Sequence, residues 1–209
     1  MNDVVYLDLP PLPDYLIERV YKLVNEYQYK QGTIYNINGN DTWIQDGAEI
    51  NFYENDLGIS VKDINAVKDS LSMVPEKTIC TFIVVDCDDD LNNWIRENID
   101  YNYFSAYILV GRSGNTILPH IDQERVLGYN YILESAGNPL NCFWKPKKEF
   151  EDRLLTPYSY VPYERIDLDR SYHIDTHKWH VINASDIHSV EGLESTKSRI
   201  LIGVVINKK

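Results

Sequence analysis

From about residue 101 onward the chain breaks into short strand-like runs with turn residues between them, and this pattern admits few folds. The runs lie at 103–110, 117–121, 127–133, 141–145, 172–174, 179–182 and 199–206. Gly111, Gly114, Gly128, Gly137, Pro139, Pro146, Pro157, Pro162 and Gly192 punctuate them. Many short strands separated by turn signals predict a sandwich or a jelly-roll barrel. The 16 tyrosines among 209 residues fit this, because their rings suit half-buried β surfaces while their hydroxyls reach a polar partner.

The first hundred residues read as a helical and mixed support layer. After Pro10, Pro11 and Pro13, the apolar positions Leu16, Ile17, Val20, Leu23, Val24 and Tyr27 share one helical face. Strand-leaning segments follow at 33–37 and 48–53, a weaker helical pattern at 61–73, and a buried-strand run, TICTFIVV, at 78–85. The acidic cluster Asp86, Asp88, Asp89 and Asp90 precedes a helix over 91–99. Carboxylates there complement the helix dipole, and the cluster lacks the glycine and terminal glutamate of a calcium loop, so it reads as a cap. The expectation is one domain over 1–209, with a support layer (1–100) on a jelly-roll core (101–209).

Charge and cysteine content exclude other classes. The formal net charge is −12 and the pI about 4.8, which repels phosphate backbones and argues against nucleic acid as partner. Lys145, Lys147 and Lys148 read as solvated. Three scattered cysteines, Cys80, Cys87 and Cys142, make no disulfide framework and predict a reducing, cytoplasmic setting. The opening MNDVVYLDLPPLPDY has no basic and apolar leader pattern, and no apolar run reaches membrane-spanning length.

Two segments of the β half carry candidate chemistry. In ILPHIDQ, His120 and Asp122 are two residues apart, so on a strand they project to one face. INASDIHSVEG supplies His188. Two imidazoles and one carboxylate on one face of a metal suit iron(II), with positions left open for substrate and oxygen. Arg199 follows His188 by eleven residues, at the opening of the last strand. A guanidinium there grips a carboxylate through a two-pronged hydrogen-bonded pair. Each residue alone has a plainer reading: a surface pair for His120 and Asp122, a packed histidine for His188, and a solvated strand-edge charge for Arg199.

Taken in order, His120-x-Asp122, His188 and Arg199 resemble the 2-oxoglutarate/iron(II) dioxygenase superfamily across roughly the second half of the chain. The resemblance implies a double-stranded β-helix, mainly β with N-terminal helices, and Fe(II), 2-oxoglutarate and O2 as cofactor and co-substrates. It implies that His120, Asp122 and His188 hold the metal, and that Arg199 binds the distal carboxylate of 2-oxoglutarate. Asn130 and Tyr131 follow the metal motif on a strand, and whichever faces inward is a further contact for the co-substrate. Arg199 stands where prolyl 4-hydroxylases usually carry lysine. RILIGVV departs from the R-x-N-x-T-x-R run of the nucleic-acid demethylases, and Asp122 is present where halogenating relatives have a small residue. The reading is hydroxylation of a C–H bond in an amino-acid or peptide side chain, nearest the prolyl- and aspartyl/asparaginyl-hydroxylase-like branches. The rivals are a cupin-like jelly roll that binds a small ligand without redox chemistry, and a jelly-roll enzyme using the same ligands with another ion.

Other polar and aromatic residues read as structural. His173, His177 and His180 crowd SYHIDTHKWH without an HExxH or paired-cysteine pattern, and are taken as strand surface or core. Trp144, Tyr158, Tyr160, Tyr163 and Trp179 are taken as core or pocket wall, and Cys142 as a buried thiol.

Overall fold

The helical face behind the proline run forms where its spacing predicts. The computed structural model describes residues 4–28, 32–37, 40–45, 50–54, 57–61, 82–99, 104–111, 117–122, 126–153, 161, 163–194 and 196–206. Helix α1 spans Asp14–Gln28. Its first turn is anchored on the Pro13 carbonyl, which accepts the Leu16 and Ile17 backbone N–H groups at 2.9 and 3.1 Å. Leu16, Val20 and Val24, four residues apart, form its buried stripe. Helix α2 spans Asp89–Ile99 and buries Leu91, Ile95 and Ile99. The acidic cluster is its cap: the Asp88 carboxylate accepts the Leu91 N–H at 3.1 Å, while Asp89 and Asp90 occupy the first turn. Arg19 of α1 pairs with Asp88 and so ties the two helices together.

Two antiparallel sheets form the β half. The larger has the order β1 (Val4–Tyr6), β12 (Trp179–Asn183), β9 (Leu127–Ser135), β14 (Arg199–Ile206), β7 (Phe104–Gly111), β6 (Phe82–Asp86). The smaller has the order β11 (Ile166–Tyr172), β10 (Leu140–Pro146), β13 (Ile187–Glu191), β8 (Ile117–His120). From β8 to β14 the chain passes back and forth between the sheets, which makes the fold a double-stranded β-helix with N-terminal helices. Two hairpins, β2 (Gly32–Ile37) with β3 (Asn40–Gln45) and β4 (Ile50–Glu54) with β5 (Leu57–Val61), complete the described strands.

Strand alternation gives the larger sheet two different faces. Tyr129, Tyr131, Leu133, Trp179, Ile200, Ile202 and Val204 pack with Leu12, Leu16, Val20, Leu91 and Ile95 in one core under the helices. Trp94 of α2 stacks on Trp179, with ring centroids 5.8 Å apart. The intervening residues Asn130, Ile132, His180, Arg199, Leu201 and Gly203 therefore face the other way, into the space between the sheets. There Ile132 and Leu201 meet Ile174, just beyond β11.

Several expectations shift. The first hundred residues do more than support the core, since β1 and β6 are strands of the larger sheet. Of the run at 172–174 only Tyr172 is in a strand, at the end of the longer β11, which stands at the edge of the smaller sheet and is largely exposed; its polar sequence, IDLDRSY, hides the pattern. Ile187–Glu191, absent from the strand-like runs of the sequence, is central strand β13. Its buried Ser189 is satisfied there, accepting from Trp144 Nε1 at 2.9 Å and donating to Glu191 Oε1 at 2.7 Å. Of the helical pattern at 61–73 only Val61 is described, as the end of β5; residues 62–73, and Tyr158, Tyr160, Cys80 and Gly114, lie outside the described residues.

Candidate metal centre

Register brings the two histidines together. β13 pairs antiparallel with β8 so that His188 stands opposite His120. Their rings are 4.3 Å apart, centroid to centroid. Asp122 arrives differently from the expected strand alternation. β8 ends at His120, and Asp122 lies beyond it, its backbone N–H donating to the Ala184 carbonyl at 3.0 Å. The turn between β12 and β13 thus holds the carboxylate in place. Asp122 Oδ1 is 3.5 Å from His120 Nε2, and Oδ2 is 3.9 Å from His188 Nε2. All three donor atoms lie within 4.8 Å of one another.

The donor set fits a divalent ion. His188 Nδ1 is 2.9 Å from the Asp186 carbonyl, so this nitrogen carries the proton and Nε2 keeps its lone pair for a metal. A hydrogen bond of this kind fixes both tautomer and ring angle in metal-binding histidines. His188 is buried, whereas His120 and Asp122 are partly open, the combination of a fixed floor and an accessible mouth. Phe143, opposite His188 on β10, places its ring 6.4 Å from the imidazole.

Arg199 lies deeper. It is 5% exposed, and its Nε and Nη1 have no hydrogen-bond partner among the described residues. Burial pushes its pKa down to about 10. A buried charge left unpaired is costly. Of the two strand residues next to the metal motif, Asn130 faces the same space and donates to the Gly128 carbonyl at 3.2 Å. Tyr131 is turned into the helix-side core, where its hydroxyl accepts the Leu12 N–H at 3.2 Å.

The remaining histidines do not gather into a second centre among the described residues. His173 Nδ1 meets the Pro139 carbonyl at 3.1 Å, and His177 occupies a turn with φ 57°. His180 is buried on the inner face, within the strand surface or core reading of the sequence. Trp179 is core, as expected, while Trp144 and Tyr163 pack edge to face with centroids 5.5 Å apart. Cys87 and Cys142 are free and buried. No helix among the described residues is long and apolar enough to cross a membrane.

No family model and no curated protein matches this sequence. Solved structures do match in shape. The non-haem alpha-ketoglutarate-dependent carbocyclase SnoK from nogalamycin biosynthesis aligns with a TM-score of 0.53 at 11% identity, over 99% of this chain and 79% of its own. A 2OG-Fe(II) oxygenase family oxidoreductase from Burkholderia pseudomallei aligns with a TM-score of 0.41 at 10% identity, over 99% and 89%. The Escherichia coli ribosomal oxygenase YcfD aligns with a TM-score of 0.40 at 12% identity, over 78% and 41%. The likeness to SnoK establishes a shared fold, the double-stranded β-helix.

Proposed function

We propose that this chain is an Fe(II)- and 2-oxoglutarate-dependent dioxygenase that hydroxylates a C–H bond of an amino-acid or peptide side chain. The observation that carries the reading is Arg199, a buried guanidinium whose Nε and Nη1 have no hydrogen-bond partner among the described residues, on the strand face that looks between the sheets. A cupin-like ligand binder has no use for so costly a charge, whereas a co-substrate with two carboxylates needs one end gripped while the other chelates a metal.

The chain's residues divide the work. His120, Asp122 and His188 would hold the iron, a ligand set that suits iron(II) with positions left open for the co-substrate and oxygen. His188 is set by the Asp186 carbonyl and Asp122 by the Ala184 carbonyl, so the β12–β13 turn aligns two of the three ligands. Arg199 anchors the distal carboxylate of 2-oxoglutarate, and Leu201, Ile132 and Ile174 keep water from the chain between its two ends. When bound, iron with 2-oxoglutarate and O2 supplies the oxidising chemistry: succinate, carbon dioxide and a hydroxylated substrate are the products. The free thiols Cys87 and Cys142 suit a reducing cytoplasm, which also keeps iron in the ferrous state.

The test is succinate release from the iron-loaded protein, screened over free amino acids and short peptides. Substrate-dependent succinate with a product heavier by one oxygen is the expected result. Iron and 2-oxoglutarate bound with no substrate-stimulated turnover across the panel would contradict the substrate class, and no 2-oxoglutarate binding would contradict the reaction.

A further inference from the structure

The smaller sheet carries a cation on its inner face that has no part in the reading above. Register runs one row across that sheet: Arg170 of β11 stands opposite Phe143 of β10, Phe143 opposite His188 of β13, and His188 opposite His120 of β8. Residues directly opposite in antiparallel strands share a face. Ring contacts agree, since Phe143 lies 6.4 Å from the His188 imidazole and 6.0 Å, edge to face, from Tyr172, two residues beyond Arg170. Ile174, two further on, meets Ile132 and Leu201 of the larger sheet. The backbone of Arg170 is therefore on the metal-bearing face, two strand spacings, about 10 Å, from that of His188.

A bulge decides which residue takes this place. The register shifts between Phe143 and Trp144: Trp144 pairs with Leu168 and Phe143 with Arg170, so Asp169 is the extra residue of β11. Without the extra residue Phe143 would stand opposite Asp169, and the row would end in a carboxylate instead of a guanidinium. Bulges at sheet edges and beside active sites re-aim side chains in this way. Asp169 lies between two cations, its Oδ1 2.6 Å from Lys145 Nζ and its Oδ2 2.9 Å from Arg170 Nε. Asp167, the other carboxylate of this strand, is 3.9 Å from Lys147 Nζ. Two positive charges against the one of Asp169 leave this end of the row cationic. The Arg170 side chain is 43% exposed, so a ligand reaches it without opening the core.

We propose that Arg170 anchors a free carboxylate of the substrate, which makes the substrate a free amino acid held by its α-carboxylate rather than a residue inside a peptide chain. The inference rests on the reading of His120, Asp122 and His188 as the iron centre of an amino-acid hydroxylase. A guanidinium receives a carboxylate through two parallel hydrogen bonds, which fixes direction as well as position. The Phe143 ring lies between the anchor and the metal ligands and floors the interval for the rest of the substrate. A substrate tied at one end presents the same carbon to the metal at each turnover. Arg170 is thus a specificity-determining residue.

The test compares each free amino acid with its carboxamide, which keeps the side chain and loses the negative charge. Calorimetric titration into protein loaded with Mn(II) and 2-oxoglutarate reads binding, and succinate release with Fe(II) reads turnover. At least one amino acid should bind and turn over, with its carboxamide about tenfold weaker or worse. Arg170→Gln should raise Kd and KM for that amino acid about tenfold, the loss of roughly one charge-assisted hydrogen bond, and shrink its advantage over the carboxamide. The affinities for Mn(II) and 2-oxoglutarate should not move, nor should the urea midpoint, because an ion pair this exposed contributes little. Equal affinity for acid and carboxamide in the parent, or an acid bound equally by parent and Arg170→Gln, overturns the role of Arg170 alone. Weaker 2-oxoglutarate binding in Arg170→Gln also overturns it, by placing the residue at the co-substrate. Turnover confined to interior residues of peptides overturns it while leaving the hydroxylase reading intact. No response to any amino acid or peptide contradicts the substrate class of the proposed function, and this inference with it.

Discussion

Arg199 illustrates a conflict between stability and function at a single residue. Its pKa is depressed to about 10 by burial alone, so in the ligand-free fold the charge destabilises by on the order of 3 kcal/mol. Arg199→Met should therefore raise the urea midpoint of the ligand-free protein while raising the half-saturating 2-oxoglutarate concentration roughly thirty- to several-thousand-fold, from the loss of about 2–5 kcal/mol. Arg199→Lys keeps charge but loses the planar fork, so its affinity should fall between the two. A lower midpoint together with unchanged 2-oxoglutarate affinity in Arg199→Met would contradict the assignment. Asp122 is the opposite case, a partly open carboxylate outside the core. Asp122→Ala should abolish iron binding and move stability by no more than about 0.5 kcal/mol, which metal analysis and urea unfolding would check together. His180 sets a pH dependence of folding. Its folded value of about 4 lies below the unfolded one, so its contribution is full above about pH 6.5 and is lost as pH falls towards 4. Over that interval the parent should lose roughly 3 kcal/mol relative to His180→Gln, and parallel pH curves for the two proteins would refute it.

At the scale of elements, the helices hold the sheet that carries the pocket. Asp88 caps α2 and pairs with Arg19 of α1. Asp88→Ala should cost about 1–2 kcal/mol, most of it from the cap, because an ion pair this exposed contributes little. Asp88→Asn keeps the capping acceptor and should recover most of that loss in urea unfolding; equal losses in both variants would mean the ion pair dominates. The elements that the sequence made legible were those with one strong period: α1 from its four-residue apolar spacing, and β7, β9 and β14 from long apolar runs. β13 was absent from the strand-like runs because HSVEG places three polar residues and a glycine together, and only the Trp144–Ser189–Glu191 contacts show how a central strand accommodates them. The metal ligands were legible as residues but not as geometry, since Asp122 depends on a hydrogen bond to Ala184, a partner 62 positions along the chain. The face of each strand was not legible. Asn130 and Tyr131 are adjacent in sequence, and only the register of β9 with β12 and β14 sends one inward and the other under the helices. Whether His180 was strand surface or core stayed open in the sequence for the same reason.

For the whole molecule, the central claim is that the two sheets hold iron at His120, Asp122 and His188 and the far end of 2-oxoglutarate at Arg199. An acidic chain of net charge −12 surrounds this buried cationic pocket, so the affinity for a dianion must come from local contacts rather than from the long-range field. The most direct measurement is an anaerobic titration of 2-oxoglutarate into the Fe(II)-loaded protein, followed by the visible charge-transfer band of the iron chelate. The account predicts a saturable band at one iron per chain, absent in Asp122→Ala and shifted to far higher 2-oxoglutarate concentrations in Arg199→Ala. Iron bound without a band, or a band that saturates at the same concentration in Arg199→Ala as in the parent, would contradict it.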